Sequence, residues 1–258
     1  MFDIKINDFH KIDLNNPLHP SIFIKTEDYD IFIFRMPFSE DNSIVSKNNS
    51  YICTKDSYFL YKQNEFIDLH NFKGMYKSLN EVISHSLQMT LDIYRSIDDM
   101  EDSFYENQYV KDFNKIWFMK KNNLIKINRV LNKSIEEFKN FIKNYKNETD
   151  YLEIHFDDLL EHLERTNRYA IHGLDKLDTL YNFFTSTNNE KMNKTIYILT
   201  ILSGVFLPLN LIVGFFGMNT TSLPFTKNEY GTISVIFILI GVLFISYALT
   251  ILLKKYRQ

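Results

Sequence analysis

The sequence predicts an α+β aqueous domain, then a long stalk helix, then two membrane-spanning helices. Three observations carry this reading. Residues 1–75 hold short runs rich in β-branched and aromatic side chains. From Leu79 onward the apolar residues recur at three- and four-residue spacing for roughly 100 residues, the period of an amphipathic helix. Two uncharged stretches, residues 195–216 and 230–253, then follow with the tripeptide Gly217-Met218-Asn219 between them.

The first region, residues 1–75, reads as a small α/β unit of strands and turns. Ile22-Phe23-Ile24 and Tyr29-Asp30-Ile31-Phe32-Ile33-Phe34 are strand-like, with Glu27-Asp28 as the turn between them. The polar segment from Glu40 to Ser50 reads as a loop. Further strand-like pieces are Tyr51-Ile52-Cys53, Ser57-Tyr58-Phe59-Leu60-Tyr61 and Phe66-Ile67-Asp68-Leu69. Residues 76–148 form a helical region, with one helix expected over 79–103 and another over 114–145. No proline interrupts the chain between Pro37 and Pro208, so nothing forces a helix break there.

Residues 149–194 are expected to form the stalk. Leu152, Phe156, Leu159, Leu160 and Leu163, then Leu174, Leu177, Leu180 and Phe184, make an apolar stripe for packing against other helices. Gly173 weakens the helix by about 1 kcal/mol without ending it. A polar neck, residues 188–194, leads into the first span. Such a long rod needs neighbours, which points to an oligomer.

Each uncharged stretch meets the length of about 20 residues that crosses roughly 30 Å of hydrocarbon. Lys191 and Lys194 precede the first span, and Lys254, Lys255 and Arg257 form a basic tail at 254–258 after the second. The connecting loop, 217–229, carries Lys227 offset by Glu229. The positive-inside rule therefore places both termini in the cytoplasm and the loop outside. The opening Met1-Phe2-Asp3-Ile4-Lys5 has no secretory pattern, so export of the first domain is not expected.

Charge and composition exclude several function classes. The formal charge is -3, and because the chain from Thr195 onward is net basic, residues 1–194 carry -6. This acidic balance argues against a nucleic-acid partner. It suits a protein that gathers cations, and equally an ordinary soluble surface. Cys53 is the sole cysteine, which rules out an intrachain disulfide framework or a cysteine-rich zinc site. No nucleophile–base pair, phosphate-binding loop or zinc protease motif recommends an enzyme, and no organic cofactor is called for.

The first span carries a polar and small-residue stripe. Asn193, Thr200, Ser203, Leu207, Asn210, Gly214 and Gly217 recur at three-, four- and seven-residue intervals, close to one helix face. An amide at Asn210 is costly against lipid, so this face should meet protein or water. Interhelical packing through small residues and a water-filled pore both account for it. Pro208 frees the carbonyl four residues earlier, at Gly204. Neither span holds an ionised side chain, so a permeating ion would meet carbonyls, amides or its own water. Magnesium, which sheds its hydration shell reluctantly, suits that arrangement.

At these residues the chain resembles the CorA family of magnesium and divalent-cation channels. The resemblance is carried by Asn193-Lys194-Thr195, Phe206-Leu207-Pro208-Leu209 and Gly214-Phe215-Phe216-Gly217-Met218-Asn219. A proline-containing first span, the Gly-Met-Asn signature, a short loop, a second span and a basic tail follow in the family's order. A softer likeness to the family's last cytoplasmic helices runs through residues 151–162.

The resemblance implies a funnel-shaped homopentamer in a bacterial inner membrane, passing Mg²⁺, and also Co²⁺ or Ni²⁺, down its electrochemical gradient. The first span of each copy would line the pore, through Asn193, Ile196, Leu199, Ser203, Leu207, Asn210 and Gly214. Leu199 and Leu207 would be hydrophobic constrictions and Asn210 a second polar ring. Gly217, Met218 and Asn219 would form the pore mouth: Asn219 presents amide oxygens to hydrated Mg²⁺, Gly217 allows a tight turn, and Met218 holds it. Glu229 would supply an external acidic ring, since the loop lacks the acidic residue that many relatives have after its proline.

Regulation by intracellular Mg²⁺ is also implied. A stalk acidic position of the family appears here as Asn182, which leaves Asp175, Asp178, Asp157, Asp158 and Glu161 as regulatory metal ligands or as solvated helix faces. The chain is expected to have a shortened cytoplasmic domain. His155 and His162, seven residues apart, keep open a transition-metal site and a zinc transporter of the same superfamily, with proton coupling. Met218 in the signature favours the magnesium branch.

Overall fold

In the computed structural model the described residues are 6–41, 43–55, 57–106, 112–146, 153–218, 223–225 and 230–255. The chain divides into two units, residues 1–182 and 183–258.

The first unit begins with α1 (Asp8–Asn15), where the sequence suggested only strands and turns. Asn7 starts it by accepting a hydrogen bond from the Phe9 amide at 3.0 Å, satisfying one of the free N–H groups of the first turn. Five antiparallel strands follow in sequence order: β1 (Ile22–Lys25), β2 (Asp30–Glu40), β3 (Ser43–Cys53), β4 (Tyr58–Lys62) and β5 (Glu65–Asp68).

The segment expected as a loop, residues 40–50, is instead the end of β2 and most of β3. The two strands pair without interruption from Asp30↔Cys53 to Glu40↔Ser43. Asp41, at φ 46°, takes the left-handed conformation that short polar residues tolerate in a tight hairpin. Backbone pairing does not depend on side-chain polarity, so an Asn- and Ser-rich run can hold a strand when its partner is strong.

The strand alternation builds two cores. On one face Ile31, Ile33 and Ile52 meet Ile6, Leu14 and Tyr29, which places α1 against the sheet. On the other, Phe32 stacks on Phe141 with centroids 5.0 Å apart, and Phe34 lies 5.7 Å from Phe138. Each such buried side chain contributes about 1.5–3 kcal/mol.

These aromatic partners come from α3 (Phe113–Tyr145), which with α2 (Phe72–Tyr105) covers that face. Asn71 caps α2 by accepting from the Gly74 amide at 3.0 Å. The first part of α4 (Glu153–Phe216) adds Phe156, Leu159, Leu163, Ala170 and Leu177 to the buried set. Gly173 has a packing reason here: a Cβ at that position would lie 2.8 Å from Leu124 Cδ1 on α3.

The second unit holds the rest of α4 and α5 (Gly231–Lys255). Both helices are long and apolar enough to cross a membrane. Unlike the core helices of the first unit, they leave large apolar side chains exposed within the chain: Leu211 is 74% and Phe244 72% accessible. Surface of this kind belongs in lipid or against other chains, and the chain is an integral membrane protein.

Candidate functional site

The polar stripe lies on the second half of α4. At 100° per residue, Asn193, Ile196, Leu199, Ser203, Leu207, Asn210 and Gly214 fall within about a third of the helix circumference. All seven are exposed in the single chain. The structure thus keeps them on one uncovered face, where Leu199 and Leu207 are 57% and 68% accessible.

The hydroxyls near this face are handled locally. Thr200 Oγ1 donates to the Ile196 carbonyl at 2.8 Å, and Thr195 Oγ1 to the Lys191 carbonyl at 3.1 Å. Such back-bonding lets a hydroxyl sit in a helix without an unpaired proton. Among the described residues Asn210 has no partner within the chain, so its amide is available to another copy, to water or to an ion. Pro208 sits inside the helix, and the missing side chain at Gly204 leaves open space beside the carbonyl it frees.

Phe216 is the last residue of α4. The Gly217 amide donates to the Val213 carbonyl at 2.8 Å and the Met218 amide reaches the Phe215 carbonyl at 3.4 Å. Gly217 is not in the left-handed region. What glycine relieves there is crowding, since a Cβ would stand 3.1 Å from the Val213 carbonyl oxygen. Asn219 and Glu229 lie outside the described residues.

The acidic candidates of α4 do not converge. Glu161 contacts Arg168 at 3.3 Å and Arg165 at 3.8 Å, Asp178 pairs with Lys121 at 2.5 Å, and Asp158 lies 3.7 Å from His162. The hydrogen bond that Lys146 donates to Glu153 is the main cause of its raised pKa, and Asp157 adds a lesser electrostatic contribution. The Asp175 carbonyl accepts from Thr179 Oγ1 at 3.0 Å. His155 packs edge-on against Tyr76. Among the described residues no three His, Cys, Asp or Glu side chains are placed to share a metal ion. Asn182, the altered stalk position, is exposed.

A charged cluster that the sequence did not reveal ties α4 to its neighbours. Lys176 Nζ lies 2.5 Å from Asp98 Oδ1 and also contacts Glu101, both on α2. Burial works against the Lys176 charge, but hydrogen bonds to the two carboxylates outweigh it and raise the pKa. Nearby, Trp117 Nε1 donates to the Leu177 carbonyl at 3.0 Å and the ring stacks on Tyr181 at 4.5 Å. The lone tryptophan was the one available hint, because the rest depends on which helices become neighbours.

Comparison with known proteins fits this geometry. A family model described as CorA-like Mg²⁺ transporter protein matches residues 38–255. A putative metal ion transporter, YfjQ, of Bacillus subtilis strain 168 is 30% identical over 82 residues, which is 32% of this chain and 26% of that protein. The chain therefore aligns with about a quarter of that relative's length. The complete structure of the CorA magnesium transporter from Methanocaldococcus jannaschii superposes with a TM-score of 0.77 at 16% identity, covering 95% of this chain and 82% of the other. The full-length CmaX protein gives 0.71 at 13% identity, covering 99% and 83%. At these identities the two structures testify to the fold.

Proposed function

The chain belongs to the CorA-like Mg²⁺ transporter family, and from that premise we propose that it is a passive channel for Mg²⁺ uptake. The observation that carries the reading is a family match running through both units, combined with an uncovered polar stripe on a proline-containing span. The transporter family also sets the chain apart from enzymes.

The mechanism follows from the donors at hand. Mg²⁺ gives up water slowly, so a fast pathway hydrogen-bonds to its water shell rather than replacing it. Amide oxygens at Asn219 and Asn210 suit that task, as two rings in a homopentamer whose pore is lined by α4. Gly217 and Met218 hold the mouth, and Glu229 concentrates cations outside it. Leu199 and Leu207 narrow the pathway on the side of the Asn210 ring away from the mouth, where a dry constriction stops a hydrated ion. With both termini in the cytoplasm, a membrane potential of 100 mV favours entry of a divalent ion by about 4.6 kcal/mol, so no coupled proton is required.

Gating falls to intracellular divalent cations. Asp157, Asp158, Glu161, Asp175 and Asp178 stand on a helix that runs on into the first span, and ions bridging them between copies would favour a closed state. Mg²⁺ is both cargo and regulator in this scheme. Co²⁺ and Ni²⁺ share its octahedral water shell and are the expected secondary cargoes. Met218 in the Gly-Met-Asn signature favours the magnesium branch, in a bacterial plasma membrane, and the cytoplasmic domain is a shortened one.

Reconstituted liposomes test the proposal. Mg²⁺ influx that follows an imposed potential, needs no pH gradient and is blocked by cobalt hexammine is the expected result. Zn²⁺ flux driven by a pH gradient, with no Mg²⁺ flux, would instead establish the zinc-transporter reading.

A further inference from the structure

A cavity of about 490 Å³ opens between the β2–β3 hairpin and α3, lined by none of the residues assigned above to ion passage or gating. Four cationic side chains line it: Arg35 from β2, and Lys126, Arg129 and Lys133 from α3. The three on α3 are spaced i, i+3 and i+7, which turns them to one helix face. Its lining includes no aspartate or glutamate.

The charges are unevenly neutralised. Lys133 is paired, with Glu137 at 2.6 Å and Glu136 at 2.9 Å. Lys126 Nζ donates only to the Ile44 carbonyl, at 3.2 Å. Arg35 donates from Nε to Ser46 Oγ and from a terminal nitrogen to the Leu18 carbonyl, each at 2.7 Å, and finds no carboxylate. Among the described residues Arg129 makes no hydrogen bond or ion pair at all. Three uncompensated cations thus converge on one cavity in a region whose net charge is -6.

The remaining wall is apolar, with Ile44 and Val130 facing the cavity beside the cations. Its volume lies within the range of about 300–1,000 Å³ typical of small-molecule sites. Arg35 is half-buried and held by neutral acceptors, so it is oriented before any ligand arrives, and the guanidinium fork matches phosphate oxygens. We propose that this cavity is a binding site for an organic phosphate of nucleotide size, the phosphate on Arg129, Lys126 and Arg35 and the apolar body against Val130 and Ile44. The concave shape distinguishes it from a surface for an extended acidic peptide, and the acidic domain around it from a nucleic-acid interface.

Isothermal titration of the full detergent-solubilised chain tests this, using ATP, AMP, adenosine and inorganic phosphate in the presence of EDTA. Saturable binding of ATP or AMP is expected, weakening as salt is raised, with adenosine inactive. Arg129→Ala and Lys126→Ala should each weaken it about tenfold, and Arg129→Lys should restore part of the loss. Arg129 supports nothing else in the fold, so its loss leaves thermal stability unchanged. Absence of saturable ATP and AMP binding, or equal binding by both alanine variants, overturns the site. Inorganic phosphate binding as tightly as AMP overturns the organic body. Stronger displacement of AMP by dihexanoyl phosphatidylglycerol reassigns the cavity to a lipid headgroup.

Discussion

Lys176 Nζ on α4 lies 2.5 Å from Asp98 Oδ1 on α2, so a helix that continues into the apolar second unit is pinned to the core of the first by an ammonium group. The same nitrogen contacts Glu101. A tethered cation between two carboxylates does locally what a metal ion would do between copies in the proposed assembly, and it does so at any ion concentration.

Replacing Lys176 with methionine keeps the stem and removes the charge. Partial exposure limits the loss, which we expect to be about 1 kcal/mol, a few degrees in the melting temperature of the first unit. A double-mutant cycle with Asp98→Asn should show coupling between the two sites. Additive effects would mean that the contact contributes nothing.

Gly173→Ala sets two effects against each other. Alanine gains about 1 kcal/mol of helix propensity, but its Cβ would meet Leu124 Cδ1 at 2.8 Å, and Leu124 is fully buried. Overpacking of this kind costs about 1–3 kcal/mol, so net destabilisation should win. Chemical denaturation should show it, and Leu124→Val should recover part of the loss. A stabilised single variant would show that the core yields freely at this point.

If Asn210 forms the proposed polar ring, Asn210→Leu should lower Mg²⁺ flux by at least about tenfold. Asn219→Ala should lower it as far or further. Asn210 is exposed, so protein yield and thermal stability of its variant should stay near those of the parent. Full flux in either folded variant would remove that residue from the pore.

Burial pushes the Cys53 thiol up to about 12, from an ordinary 9.0, with the hydrogen bond to Tyr145 acting the other way. A group whose folded pKa is raised adds stability that is complete below the unfolded value and disappears as pH climbs through the folded one. Stability should therefore fall between about pH 9 and pH 12, and Cys53→Val should lose less over that interval than the parent. Thiol reagents should leave the folded parent unlabelled at pH 8. Rapid labelling there would contradict the burial.

The membrane helices were legible because composition alone specifies them, whatever they touch. Long amphipathic periods likewise marked the helices that became α2 and α3, although both begin earlier than expected, α2 at Phe72 and α3 at Phe113. Two elements escaped. The helix α1 is short, and only Asn7 and Leu14 betray its cap and its buried side. The early part of β3 hides behind Asn and Ser, because its pairing with β2 is made by backbone groups. At the candidate site the stripe on α4 could be read from spacing within one helix. The partners of Asp178 and Glu161 divide along the same line: Arg165 and Arg168 are local to Glu161, whereas Lys121 reaches Asp178 from another helix and needed the fold to be seen.

Thr200 gives its only hydroxyl proton to the Ile196 carbonyl. Its oxygen therefore has nothing but lone pairs left to offer outward. Chemically the hydroxyl has become a one-way group, closer to a ketone than to an alcohol. A hydrated cation, whose water protons point outward, finds an acceptor there, while an anion seeking a donor finds none. Discrimination by charge sign can thus be written into a neutral helix by where a single proton is spent.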